Sequence, residues 1–236
     1  MGKQKKVFIN LVLCILLTFI TAMPVLAQPI SNECMDSNYN ICSIVDISDF
    51  SDEIQLGKKI VLPDGAVLTP ISKDEYVSKL AKEKNISIEE AYKLESENIS
   101  LYGATSTISY VDYEKDFTYS GNSYFKATLL ATIKIQKWQG GAAQIENVLS
   151  VSSQRKSGLY EYDWIETDSF SDPTENGSGY PVTSVVLTAK GYFEVTVDVS
   201  VEGSVNLPGF SIGGSVGTKD TYISKNMPMR STFSVY

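Results

Sequence analysis

Histidine is absent from the 236-residue chain, cysteine occurs three times and tryptophan twice. Without histidine the commonest general base, the neutral-pH switch and the commonest metal ligand are missing, which excludes Ser-His-Asp and Cys-His catalysis outright. Cations are also short, with 20 lysines and arginines against 28 aspartates and glutamates. That balance argues against nucleic acid and anionic lipid surfaces as partners. Long apolar runs are equally scarce: beyond residue 27 none reaches the roughly 20 residues of a membrane-spanning helix. No transmembrane segment is expected once an N-terminal leader is removed.

The first 27 residues provide such a leader. Lys3, Lys5 and Lys6 precede an apolar run from Val7 to Phe19, and Val25-Leu26-Ala27 places small residues at the two positions read for cleavage. This is the pattern of a secretory signal peptide. Its loss would take three lysines away and leave a chain more acidic than the formal charge of −8 of the whole. Cys14 would leave with it, so Cys34 and Cys42 remain as an even pair, which in an oxidising compartment is expected to bridge. The expected location is secreted, extracellular or cell-wall associated.

From Gln28 to about Gln55 the chain is polar and acidic with little periodicity, and reads as irregular. Lys59 to Leu62, the turn triplet Pro63-Asp64-Gly65 and Ala66 to Thr69 then predict a short β-hairpin. Ser72 with Glu75 has the capping-box spacing, in which two side chains satisfy free N–H groups at a helix start. A first helix is expected over 73–84, burying Tyr76, Val77, Leu80 and Ala81 and ending at Asn85. Ser87 with Glu90 opens a second helix, expected to turn Ile88, Ala91 and Tyr92 inward. The short helix, turn and helix superficially resemble a DNA-binding motif, but five lysines against seven acids between Ile71 and Asn98 leave no basic face for phosphates.

After Leu101 the period changes from helical to alternating, and turn signals recur at Gly121-Asn122, Gly140-Gly141, Ser157-Gly158, Asn176-Gly177 and Pro208-Gly209. Seven strands are predicted, near 104–112, 123–138, 143–154, 158–167, 181–189, 191–202 and 220–235. Gly-rich 204–217 is expected to be a long loop or an edge hairpin. The most regular stretch is Phe193 to Val201, where Phe193, Val195, Val197, Val199 and Val201 alternate with polar residues. Its nine residues equal the lower length of a membrane β-strand of about 9–11 residues, which makes a membrane-active β-pore the alternative reading.

The predicted fold class is mainly β: an antiparallel sandwich over 100–236, preceded by an irregular region with one disulfide and a short hairpin over 28–70 and by a helical hairpin over 71–99. Thr132 to Trp138 followed by Gly140-Gly141, and Lys190-Gly191-Tyr192-Phe193 ahead of Val195, resemble strand signatures of small secreted β-sandwich proteins of Gram-positive bacteria with no assigned function. The resemblance implies the fold and implies no activity.

Within the strand predicted at 158–167, Tyr160, Tyr162 and Trp164 share one face and Glu161, Asp163 and Ile165 the other. Such a row either packs in a core or stacks on apolar sugar faces beside carboxylates that accept hydroxyls, and period 2 alone does not say which face is wet. Tyr160, Tyr162 and Trp164 are therefore the candidate ligand-binding residues. Asp168, Asp172, Glu175 and Asn176 fall in an expected solvated loop whose spacing does not match a calcium-binding loop, so no metal or cofactor is expected. A carboxylate-dependent hydrolase is a further alternative reading: it needs a defined pair, and nothing selects one among 28 acids. The sequence reading is thus an exported, non-catalytic protein binding an envelope component, a glycan or another protein.

Overall fold

The computed structural model describes residues 41–45, 56–97, 106–157, 161–173, 179–202 and 207–235, all within one compact unit, Cys34–Tyr236. Residues 1–27, expected to be a signal peptide, and Cys34 and Tyr160 lie outside the described residues. Among the described residues there are eleven strands: β1 (Ile41–Val45), β2 (Ile60–Val61), β3 (Val67–Ile71), β4 (Ser106–Thr118), β5 (Lys126–Trp138), β6 (Ala143–Arg155), β7 (Asp163–Pro173), β8 (Ser184–Asp198), β9 (Phe210–Val216), β10 (Lys219–Ser224) and β11 (Met227–Val235). Three helices accompany them: α1 (Lys73–Lys84), α2 (Ile88–Glu97) and the single-turn α3 (Val199–Glu202).

The strands form two sheets. One has five strands in the order β2-β3-β4-β5-β6, all antiparallel. In the other, of six strands, β8 pairs antiparallel with β7 along one edge and with β10 and β11 along the opposite edge. β9 flanks β10, and β1 adds parallel to β11. The stretch around Ile44 and Val45, expected to be irregular, is thus a sheet strand, and Cys42 stands opposite Thr232 in its register. The hairpin expected at 59–69 forms as β2–β3 and is hydrogen-bonded into the five-stranded sheet through β3–β4.

Several strand boundaries differ from the sequence expectation, each for a local reason. The two strands expected at 181–189 and 191–202 are one strand, β8. It stops at Asp198, whose carboxylate accepts hydrogen bonds from the Ser200 N–H (3.0 Å) and hydroxyl (2.6 Å) and so turns the chain into α3. Val199 and Val201 are therefore helical, and the unbroken nine-residue alternation behind the pore reading does not exist as a strand. The strand expected at 220–235 is β10 and β11, consecutive along the same edge of β8. Its ladder breaks where Ser224 Oγ, in place of a backbone carbonyl, accepts the Phe193 N–H at 2.9 Å. The Gly-rich segment expected as a loop or edge hairpin contains β9 at the end of the six-stranded sheet.

Alternation decides what each sheet buries. From β5, Ala127, Leu129, Ala131, Ile133 and Ile135 meet Val185, Leu187, Ala189 and Phe193 of β8 and Met229 and Phe233 of β11 in one cluster of buried side chains. Phe193 is fully buried, with the rings of Trp164, Tyr162, Phe125 and Tyr119 at 4.8, 5.4, 5.6 and 5.8 Å. Its removal from water alone stabilises by about 1.5–3 kcal/mol. The opposite face of the five-stranded sheet is closed by the helices, where Tyr76, Val77, Leu80, Ala81 and Ala91 pack on Ile71 and Tyr110.

The helical hairpin follows its capping residues. Ser72 Oγ accepts the Glu75 N–H at 3.1 Å, and Asn85 takes the left-handed conformation (φ 51°) that ends α1. At α2 the box is reciprocal: Glu90 N–H donates to Ser87 Oγ (3.2 Å) and Ser87 N–H to Glu90 Oε2 (3.0 Å). The inward face of α2 differs from expectation. Ile88 and Tyr92 are exposed, at 44% and 37%, whereas Glu95, four residues beyond Ala91, is buried at 2%. The reason lies across the interface, where Lys134 of β5 is buried and its Nζ stands 2.8 Å from Glu95 Oε1.

Candidate functional site

Of the residues the sequence singles out, Trp164 lies in β7, Tyr162 stands just before it and Tyr160 lies outside the described residues. Tyr162 is buried at 3%. Its hydroxyl donates to the Lys156 carbonyl at 2.6 Å, with the Lys126 carbonyl 3.0 Å away, and the Arg155 guanidinium lies 4.8 Å from its ring centre. Trp164 packs partly buried against the same core and donates from Nε1 to Ser153 Oγ at 2.9 Å. Gly191 makes room for it: a Cβ there would stand 2.5 Å from both the indole and the Ile165 carbonyl oxygen. Of the two placements the sequence leaves open, Tyr162 is thus in the core and Trp164 packs partly buried against it. A ring with a polar tip is the side chain that can close a core beside exposed backbone carbonyls.

The wet face of β7 is the other one. Asp163 and Ile165 stand opposite Glu194 and Tyr192 of β8. The register then shifts between Glu166 and Asp168, and that bulge inverts the parity of the rest of the strand. Past it, Asp168, Phe170 and Asp172 stand opposite Lys190, Thr188 and Val186, on the same outer face as Ile165. Glu166 anchors the bulge, its carboxylate accepting from the Ser153 N–H and hydroxyl on β6 and from Ser169 Oγ at 2.9 Å. The Thr167 hydroxyl donates to the Lys190 carbonyl at 3.2 Å. Asp168 and Asp172, expected in a loop, are therefore strand residues, whereas Glu175 and Asn176 lie outside the described residues.

On the far side of β8, β11 places Pro228 opposite Lys190 and Arg230 opposite Thr188. With adjacent strands about 4.8 Å apart, Phe170 and Arg230 bracket Thr188 across about 10 Å of sheet. Ile165 (37%) and Phe170 (44%) are exposed, as are Asp163, Asp168, Asp172, Lys190 and Arg230, while Tyr192 and Glu194 are half-buried. Val186 and Thr188 on the same face are buried, so the open area centres on Ile165, Tyr192, Lys190 and Phe170. A flat surface of this composition can bind by covering apolar area and by pairing charges.

Two other groups of reactive side chains are enclosed. Lys115 points between the sheets, its Nζ 2.5 Å from Asp64 Oδ2 and 3.2 Å from Ser231 Oγ, which also meets the Tyr113 hydroxyl at 2.8 Å. Under the helices, Glu95 receives Lys134 and the Tyr110 hydroxyl (2.6 Å). Burial, that hydrogen bond and the Glu95 charge all push the Tyr110 hydroxyl pKa far up. Tyr76 beside it is raised by burial, with the Asn147 hydrogen bond acting in the opposite sense. Both groups are walled in by hydrophobic side chains and hold elements together.

Sequence reasoning missed the outer face because it ended the strand at 167 and read Asp168 onward as a loop, whereas β7 continues to Pro173. A signal was present: Asp163 and Ile165 occupy odd positions, whereas Asp168, Phe170 and Asp172 occupy even ones, and this change of phase marks a bulge. Comparison of the chain with protein-family models, with curated proteins and with solved structures finds no match.

Proposed function

We propose that this chain is an exported, non-catalytic binding protein, a β-sandwich braced by a helical hairpin, that offers the outer face of its six-stranded sheet to a component of the cell envelope. The observation that carries the reading is an asymmetry between two otherwise comparable sheets. The outer face of the five-stranded sheet is closed by α1 and α2, whereas on the six-stranded sheet Ile165 and Phe170 stand exposed among charged residues. Exposed apolar groups rimmed by polar ones are the ordinary composition of a recognition surface. The leader pattern of residues 1–27 and the Cys34 and Cys42 pair support an extracytoplasmic location, as does the resemblance to secreted β-sandwich proteins.

The test uses the secreted protein, its N-terminus sequenced and its two cysteines assayed for free thiols. It is incubated with purified cell-wall material, with a glycan panel and with detergent-solubilised envelope proteins. The wild type should be retained by one of these fractions. The Ile165→Ser, Phe170→Ser double variant, altered only at exposed positions and checked for an unchanged thermal transition, should lose at least about tenfold in retention, equivalent to about 1.4 kcal/mol. Equal retention of both proteins, or of neither, overturns the assignment.

A further inference from the structure

We infer that the open face of the six-stranded sheet takes a basic protein segment, one whose lysines or arginines flank apolar side chains. The inference rests on the envelope-binding reading and narrows its ligand. Two observations support it. The first is charge: Asp163, Asp168, Asp172 and Glu194 stand among Ile165, Tyr192 and Phe170, whereas the cations paired in register across β7, β8 and β11 are Lys190 and Arg230, with exposed Lys225 between β10 and β11. Lys190 stands opposite Asp168, which locally balances one acid, and Arg230 lies beyond Thr188 from Phe170.

The second observation is the register. Asp163 and Glu194 are direct cross-strand partners, and like charges so placed destabilise a sheet. On the other side of Glu194 stands Ile223, which brings no cation. Among the described residues neither the Asp163 nor the Glu194 carboxylate has a side-chain hydrogen-bond or ion-pair partner. A lysine or arginine laid beside Ile165 and Tyr192 would relieve that repulsion while its neighbours cover the two apolar side chains. Electrostatic complementarity of this kind selects partners chiefly by rejecting the wrong ones.

The same charges disfavour the competing occupants. A second copy of this chain brings the same excess of acid, with a formal charge of −8. The chain's own stretch just after β1 is acidic, carrying Asp46, Asp49, Asp52 and Glu53. A polyanionic envelope polymer would be repelled in the same way.

The probe is a short synthetic peptide of lysines, valines and serines, followed by fluorescence anisotropy with the full secreted protein. Binding is expected for this peptide, falling steeply as salt is raised, and not for the same peptide with glutamate at every lysine. Asp163→Lys should weaken binding about tenfold or more, whereas Glu89→Lys, an identical charge change on exposed α2, should leave it unchanged. Equal loss in both variants would mean unspecific attraction to net charge and would overturn the inference. Equal binding of the glutamate peptide would do the same. Self-association of the wild type that Asp163→Lys strengthens or abolishes, read by ultracentrifugation, would assign the face to a second copy instead. If the basic peptide fails to bind while the Ile165 and Phe170 variant still loses envelope retention, the binding reading stands and the basic ligand falls.

Discussion

At the scale of the residue, burial decides what a charge contributes. Lys115 and Asp64 are 4% and 9% exposed, and Asp64 Oδ1 also accepts the Ala66 N–H at 3.0 Å within the turn that closes β2 and β3. Lys156 pairs with Asp116 at the surface, where both are more than 40% exposed. Removing one partner of a buried pair strands an uncompensated charge, whereas an exposed pair is screened and contributes little. Lys115→Ala should therefore lower the unfolding free energy in urea by about 3–5 kcal/mol, and Lys156→Ala by about 1 kcal/mol or less. Equal losses would show that the buried Lys115–Asp64 pair is not dry. Nothing in the sequence near Lys115 announces this difference. Its partner lies 51 positions away and Ser231 lies 116 positions away, and such separations are settled by the order of the strands and by the packing of one sheet on the other.

At the scale of the element, α1 and α2 were readable where signals are local and unreadable where they are not. The capping residues and the Asn85 terminus act within four positions of the backbone groups they satisfy, and the observed ends of α1 coincide with the expected 73–84. The inward face of α2 depends instead on Lys134 of β5, so the hydrophobic expectation for Ile88 and Tyr92 gave way to an ion pair at Glu95. The same interface sets a pH response. Tyr110 and Tyr76 hold their protons more tightly folded than unfolded, because burial penalises the phenolate and Glu95 repels it. The stabilisation they contribute is complete below the unfolded tyrosine value of about 10 and is lost as pH rises toward the raised folded values. The urea midpoint should fall steeply above about pH 10, and Tyr110→Phe should flatten that fall. An unchanged slope in the variant would exclude Tyr110 as its source.

At the scale of the whole molecule, residues N-terminal to Leu101 are built into the sheets. β3 pairs with β4 along five residues, and Leu62, Ala66 and Leu68 belong to the same buried cluster as Phe193 and Phe233. A fragment beginning at Leu101 would expose the β4 edge and open the core at Leu68, which is fully buried, so it should lose its near-ultraviolet circular dichroism and its cooperative transition. A fragment that melts as cooperatively as the full chain would show that 101–236 is autonomous after all. The β character of this half was readable because alternation and turn residues are local properties. The number of strands was not, since the breaks at Asp198 and Ser224 come from side chains capturing backbone groups, and the bulge at Glu166 comes from a bond to another strand.

The sequence by itself determined the kinds of element and the exclusions: mostly strands, two capped helices, no histidine chemistry and an acidic surface. Those properties rest on composition, local hydrogen bonding and periodicity, each complete within a few residues. Only the tertiary structure decided which face of β7 is dry. Tyr162 and Trp164 turn inward because β8 brings Phe193 and β6 brings Ser153 to that side. A single bulge then puts Ile165 and Phe170 together on the outside, since strand faces alternate with period two and one extra residue exchanges them.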